Sequence, residues 1–231
     1  NAESTALLFE LIVENHLPVQ KIVFASSQSV CGEGRYLCRV HGLITPGPRP
    51  IEQLESGRWE TLCPHCWEHM EPQLIDESVV SPGTTYAISK YAVEMLADRL
   101  GRRYGIPTVC MRYTYVQGPR NSFYNPYSGI ARIFALRVMH DMPPVCFEDG
   151  AQLRDYVNVR DVARANVLVL EDERADFQVF NVGGGRAVTV REFADIMLRE
   201  FNSGLEPQVP GVFRVGDTRH TVSDISKLRA L

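Results

Sequence analysis

Short apolar runs that end in polar residues alternate along this chain with stretches of helical spacing, and that alternation leaves few folds open. Lys21-Ile22-Val23-Phe24-Ala25 closes on Ser26-Ser27, which is how a parallel strand covered on both faces reads when its carboxyl end carries polar groups. Apolar Leu7, Leu8, Leu11 and Ile12 precede it at helical spacing. Thr84 to Tyr104 is a long amphipathic stretch, followed by the strand Thr108 to Tyr113. A helix over Ser128 to His140, a strand over Asp155 to Val159, a helix over Asp161 to Leu170 and a strand over Gln178 to Val182 continue the series. A last helix spans Val190 to Phe201 with Thr189 as its N-cap. This order predicts an α/β fold with a largely parallel, doubly wound sheet. Ligands of such sheets bind at the carboxyl ends of the strands, where Ser26-Ser27 and Arg112-Tyr113 fall. Residues 32–82 break the rhythm and are rich in Gly, Pro, Cys, His and Trp, so they read as an insertion.

Charge and cysteine usage narrow the partners. With 24 Lys+Arg against 28 Asp+Glu the net charge is −4, and no Lys/Arg run makes a phosphate-tracking face, so no nucleic-acid partner is expected. No apolar run approaches the roughly 20 residues that cross a bilayer, so no membrane partner is expected either. Asn1-Ala2-Glu3-Ser4 has neither the basic start nor the apolar core of a signal peptide. Six cysteines are too few for a secreted disulfide scaffold of this length, and Cys31, Cys110 and Cys146 sit singly among apolar neighbours as core thiols. Together these features lead us to expect a reducing, cytoplasmic setting.

The remaining three cysteines lie in the insertion. Cys38-Arg39-Val40-His41 is a Cys-x2-His and Cys63-Pro64-His65-Cys66 is a Cys-x2-Cys. Two close pairs separated by a loop suit tetrahedral zinc, each pair supplying adjacent corners, and soft thiolates with one imidazole favour zinc over magnesium or calcium. Cys38, His41, Cys63 and Cys66 are the expected ligands, with His65 and His69 as alternatives. Four protein ligands fill the shell, so the expected zinc is structural.

On the long helix, Tyr86 and Lys90 in Tyr-Ala-Ile-Ser-Lys stand four residues apart and share one face. An ammonium beside a phenol favours the phenolate, the form that acts as a general base. Around this pair, in order, come Ser26-Ser27-Gln28-Ser29-Val30-Cys31-Gly32-Glu33, then Met111-Arg112-Tyr113-Thr114-Tyr115-Val116-Gln117-Gly118-Pro119, then Asp149-Gly150-Ala151-Gln152-Leu153-Arg154-Asp155-Tyr156-Val157, and Asn181-Val182-Gly183-Gly184-Gly185. In that order the motifs resemble the extended short-chain dehydrogenase/reductase family, the nucleotide-sugar epimerases and dehydratases. The resemblance covers nearly the whole chain apart from the insertion, and Asn1-Ala2-Glu3-Ser4-Thr5 resembles the family's Asn-x-x-Gly-Thr helix with Ser4 in the glycine position. Within the family, the Cys/His insertion at this place resembles the dTDP-rhamnose 4-epimerase group.

The resemblance implies a role for each matched position. Tyr86 would be the catalytic base, Lys90 its partner and a holder of the nicotinamide ribose, and Ser27 the hydroxyl that bonds the substrate oxygen. Asn1 and Tyr113 would lie at the cofactor. Arg154 would reach the nucleotide end of the substrate, as would Arg214 and Asp217. The family has Asn where Tyr115 stands and Tyr where Gln117 and Cys31 stand; Asn125 and Ser128 are candidate substitutes for the lost substrate contact. The family's Gly-x-x-Gly-x-x-Gly turn is not in these residues, so the chain reads as lacking the first nucleotide-binding unit, and NAD is implied with NADP left open. The expected division is a Rossmann-like core over 1–31 and 83–120, a zinc-binding insertion over 32–82, and a mainly nucleotide-sugar-binding region with returning core elements over 121–231. Family relatives imply a homodimer.

Dehydratases of the family carry Thr-Asp-Glu where this chain has Ser27-Gln28-Ser29, with no carboxylate. The reading is therefore a 4-epimerase acting through a transient 4-keto sugar. A 4-ketoreductase or 4,6-dehydratase is the alternative enzyme, and a catalytically silent, zinc-containing binding protein the alternative of another class.

Overall fold

The structure is a computed structural model, and it describes residues 1–122, 124 and 129–231. In chain order the elements are α1 (Ala2–Glu14), β1 (Ile22–Ser27), β2 (Arg35–Cys38), β3 (Gly42–Ile44), α2 (Ile51–Glu55), β4 (Glu71–Gln73), α3 (Thr85–Tyr104), β5 (Thr108–Tyr113) and β6 (Tyr115–Gln117). There follow α4 (Ile130–Met139), β7 (Leu153–Asn158), α5 (Val159–Glu171), β8 (Gln178–Val182), β9 (Ala187–Thr189), α6 (Val190–Glu200) and α7 (Ser226–Arg229).

The core is a parallel sheet with β5 between β1 and β8. β5 is continuously apolar except near its end because both of its faces are covered. On one face, Phe9 and Ile12 of α1 and Val93 and Ala97 of α3 pack on Phe24 and Cys110. On the other, Ala165 and Val169 of α5 pack on Val109, Met111 and Phe180. Helices on both sides of parallel strands make the sheet doubly wound and Rossmann-like, as expected. Two smaller sheets accompany it. β6, β7 and β9 form a second three-stranded sheet, in which β7 is parallel to β6 and antiparallel to β9, and β2, β3 and β4 form a third inside the insertion. Correspondingly, the strand expected over Asp155 to Val159 runs from Leu153 to Asn158, since Leu153 pairs with Thr189 of β9 and Val159 already opens α5.

The ends of the insertion are pinned together. The Ser81 N–H donates to the Val30 carbonyl at 2.9 Å. Gly32 turns with φ +59°, and a Cβ there would lie 2.2 Å from the Ser81 carbonyl oxygen, so only glycine permits the approach. Gly183 and Gly184 are equally constrained, because a Cβ on either would meet the Asp155 carboxylate or the Tyr156 carbonyl oxygen at about 2 Å. Gly183 and Gly184 thus serve close packing onto β7, and Gly185 approaches Ile225 and Arg229. Cys31, Cys110 and Cys146 are buried free thiols, as expected.

Candidate active site and a Cys/His cluster

α3 is cut to length by its caps: the Thr84 hydroxyl accepts from the Ala87 N–H, and Gly105 closes the other end in the left-handed conformation. Tyr86, Lys90 and Glu94 therefore stand four residues apart down one side of the helix. Lys90 and Glu94 bind β1. Lys90 Nζ donates to the Ala25 carbonyl at 2.8 Å and lies 5.9 Å from the centroid of the Tyr86 ring. Burial lowers the Lys90 ammonium below its ordinary pKa. Glu94 Oε1 accepts from the Ser26 hydroxyl at 2.5 Å, and its carboxylate takes a two-point contact from Arg112 of β5, with Nε and Nη2 both at 2.8 Å. Ser26 faces Arg112 across the ladder, and Ser27 faces Tyr113. Ser26 is accordingly structural.

The Glu94–Arg112 pair is almost entirely buried, and Arg112 also donates to the Glu77 and Val79 carbonyls. Burial disfavours the guanidinium charge, but its contacts with Glu94 outweigh that and raise its pKa. Breaking a buried pair from one side typically costs about 3–5 kcal/mol because the remaining charge is stranded. Glu94→Gln is expected to lower the unfolding free energy by about that amount in a urea titration; a change within about 0.5 kcal/mol, typical of surface substitutions, would contradict this assignment.

Ser27 Oγ accepts from the Ser29 N–H at 3.2 Å and from the Ser29 hydroxyl at 3.0 Å, so its own proton is free to be donated outward. Tyr86 is 52% exposed, and among the described residues no group takes its hydroxyl. Asn1 Nδ2 donates to the Ser89 hydroxyl at 2.8 Å, and that hydroxyl donates to the Tyr86 carbonyl, which sets Asn1 against the first turns of α3. The Tyr113 hydroxyl donates to Asn166 Oδ1 of α5 at 2.7 Å, and burial raises its pKa. Ser27 and Tyr113 thus stand opposite each other at the ends of β1 and β5, with Lys90 on Ala25 of β1, Tyr86 one turn from Lys90, and Asn1 against the same turns of α3.

The residues expected at the nucleotide end form a second group. Arg154 of β7 is buried, and its guanidinium donates to the carbonyls of Leu153, Thr218 and Arg219 at 2.8–2.9 Å and lies over the Tyr115 ring. Arg214 pairs with Asp217 at 2.9 Å on an exposed turn. Asn125 and Ser128 lie outside the described residues.

Within the insertion, each of Cys38, His41, Cys63 and Cys66 offers one ligand atom, and the four atoms lie within 4.8 Å of one another. Cys38 Sγ is 3.6 Å from His41 Nδ1 and 3.7 Å from Cys66 Sγ, and Cys63 Sγ is 3.5 Å from His41 Nδ1. A tetrahedron with Zn–S of about 2.3 Å and Zn–N of about 2.05 Å has edges of about 3.8 Å between sulfurs and 3.5 Å from sulfur to nitrogen. Although burial opposes it, hydrogen bonds from His41 and Val40 lower the Cys38 thiol to about 6, toward the thiolate that metals take. The His65 ring packs beside His41, 5.1 Å between centroids.

One feature has no counterpart in the sequence reading. Arg219, fully buried, pairs with Glu60 of the insertion at 2.5 Å, with Glu148 at 2.9 Å and with Asp149 at 2.7 Å. Arg49 pairs with Glu148 at 2.8 Å. The Leu153 N–H donates to His220 Nδ1, so that ring carries its proton on Nε2 and offers it to Glu60 at 2.9 Å. The His220 contact, then Arg219, hold the Glu60 carboxyl down to about 2. Glu94 could have been found from its helical spacing behind Lys90. No local signal could find this network, because Glu60 and Arg219 are 159 residues apart.

A model of the NAD dependent epimerase/dehydratase family matches residues 66–183. The dTDP-L-rhamnose 4-epimerase of Burkholderia thailandensis is 31% identical over 98% of this chain and 61% of its own length. Among solved structures, the UDP-glucose 4-epimerase of Thermotoga maritima with UDP-glucose is 30% identical with a TM-score of 0.71, covering 98% of this chain and 60% of its own. The UDP-glucose 4-epimerase of Thermus thermophilus in complex with NAD is 27% identical with a TM-score of 0.67, covering 98% and 61%. The chain spans about three fifths of the length of each of these relatives.

Proposed function

The chain belongs to the NAD dependent epimerase/dehydratase family, and on that premise we propose that the polypeptide carrying it is a nucleotide-sugar 4-epimerase. One juxtaposition carries the reading: Tyr86 and Lys90 lie one turn apart on α3, against the strand end that bears Ser27. NAD fits the nicotinamide end of this arrangement. Lys90 uses one N–H on Ala25 and keeps two for a ribose hydroxyl and the Tyr86 phenolate. Asn1 lies against the first turns of α3, and Tyr113 stands opposite Ser27 at the end of β5. No pyrophosphate contact is assigned to this chain. When bound, NAD supplies a reversible two-electron acceptor.

The chain's own residues move and hold the proton. Tyr86 takes the proton of the sugar C4 hydroxyl and returns it after the 4-keto sugar has turned over. Lys90 stabilises the phenolate that Tyr86 presents before it takes that proton and again once it has returned it. Ser27, its oxygen already fed by two donors, donates a hydrogen bond to the C4 oxygen and keeps its proton. Arg214 and Asp217 face the nucleoside diphosphate, with Arg154 beneath their segment.

Epimerisation is favoured over dehydration because the two residues after Ser27 have no acid to offer, and both are engaged in structure. Gln28 donates to the Ser223 hydroxyl, and Ser29 to Ser27. The Cys38, His41, Cys63 and Cys66 cluster is proposed to hold a structural zinc, on the strength of its tetrahedral edge lengths. The exposed Leu7, Leu8 and Leu11 of α1 and Ile88 and Met95 of α3, on two helices packed together, are proposed to meet the same face of a second copy.

The test is a panel of UDP-, dTDP- and GDP-sugars, dTDP-L-rhamnose included, incubated with the intact polypeptide that carries this sequence and NAD. The expected product is the C4 epimer with no net nicotinamide reduction. A dehydrated 4-keto product, or one nicotinamide consumed per sugar, would replace the reading with a dehydratase or a ketoreductase; no turnover on any sugar would favour a binding protein.

A further inference from the structure

The turn that carries Arg214 and Asp217 belongs to a segment, residues 209–219, without helix or strand. Its shape must therefore come from the groups that grip it: Arg154, Glu148 and Asp149 hold it from the core side, and a second set comes from the insertion. Trp59 packs on Phe213 with ring centroids 6.2 Å apart. Arg49 Nη2 donates to the Asp217 carbonyl at 2.9 Å, while the same guanidinium is held by Glu148. Glu60 takes Arg219 with one carboxylate oxygen and His220 with the other. The contacts bracket the Arg214–Asp217 turn on both sides and at its centre.

We propose that the insertion is a positioning scaffold for the nucleotide half of the pocket, with Arg49, Trp59 and Glu60 fixing residues 213–220 so that Arg214 and Asp217 meet the nucleoside diphosphate. The proposal rests on the reading above that this pair binds nucleotide. A buried charge is tolerated only when its partners are in place, so Arg219 and Arg49 admit one arrangement of the segment and exclude looser ones. The insertion's action reaches substrate through backbone carbonyls and a buried guanidinium, so Arg49 and Glu60 are positioning residues. The Cys/His cluster then supports the same end indirectly, because it helps order the lobe from which Glu60 projects.

The experiment uses the intact polypeptide with NAD. Binding of UDP and dTDP is measured by calorimetry, and KM and kcat are measured on the preferred sugar, for the wild type, Glu60→Gln, Glu60→Asp and Trp59→Leu. Glu71→Gln serves as the control, since Glu71 pairs with Arg39 on the exposed side of the insertion. Loss of one charged hydrogen-bond partner is expected to weaken nucleoside diphosphate binding and raise KM about 10-fold in Glu60→Gln, with a similar rise in Trp59→Leu and kcat within about twofold. Glu60→Asp should recover part of the loss and Glu71→Gln should match the wild type. A wild type that binds nucleotide, with Glu60→Gln and Trp59→Leu binding equally well, would overturn this proposal alone. A fall in kcat with KM and binding unchanged would also overturn it, since that marks a merely structural loss of active protein. A wild type that binds neither nucleotide would overturn the functional reading and this inference with it.

Discussion

Tyr86→Phe is expected to lower sugar conversion by about 1,000-fold, within the range that a positioned general base contributes, while leaving the fold and the affinity for nucleoside diphosphate as they are. The substitution removes one oxygen atom. Because the Tyr86 side chain is half exposed and no described residue accepts or donates at its hydroxyl, nothing in the packing depends on that oxygen. Unfolding free energy should change by no more than about 0.5 kcal/mol. The two measurements belong together: circular dichroism melting to show an intact protein, and steady-state kinetics to show the loss in kcat. A variant that folds normally and turns over at the wild-type rate would remove Tyr86 from the chemistry.

The second large effect is expected at the Cys/His cluster. Cys63→Ser combined with Cys66→Ser removes two of the four proposed zinc ligands, both from the turn that faces the β2–β3 hairpin. Structural zinc contributes on the order of 10 kcal/mol to small metal-stapled folds, so losing half the shell should unfold the lobe while the core sheet survives. The core has its own apolar clusters on both faces, and the lobe's is small, built on Tyr36, Cys38, Cys63 and Met70. Metal analysis should fall from one zinc per chain to none, and limited proteolysis should cut within residues 32–82 in the double variant only. Equal zinc content in the two proteins, or an equally protected lobe, would show that these cysteines do not staple it.

Much of the core was legible in the sequence for a simple physical reason. β1 and β5 pack among apolar side chains, so their apolar runs are continuous, with Ser26-Ser27 and Arg112-Tyr113 marking their carboxyl ends; β8 has only Asn181 among its apolar residues, and Gly183 follows it. The limits of α3 were legible from Thr84, which caps it, and from its periodicity; those of α6 from the Thr189 capping box. The second sheet was not. Its strands are short and pair across a crossover, and Arg154 and Asp155 on β7 are polar yet buried because their partners are distant carbonyls and amides. Spacing placed the four cluster residues together, since two close pairs need only a hairpin and a turn to meet. Residues expected at the active site separated into two groups, one around β1 and α3 and one on the 214–217 turn. What ties the second group down was hidden altogether. Glu60 and Arg49 read as ordinary charges in a Pro-rich loop, and their burial depends on Arg219 and Glu148, far along the chain.

The central claim is that the sugar is oxidised transiently at C4 beside Tyr86 and reduced again without exchange. Its most direct measurement is turnover of a nucleotide sugar carrying deuterium at C4, in ordinary water with a catalytic amount of NAD. The account predicts an epimer that retains the label, with no net change in reduced nicotinamide; an epimer whose C4 label has washed into solvent, or one nicotinamide reduced for each sugar converted, would contradict it.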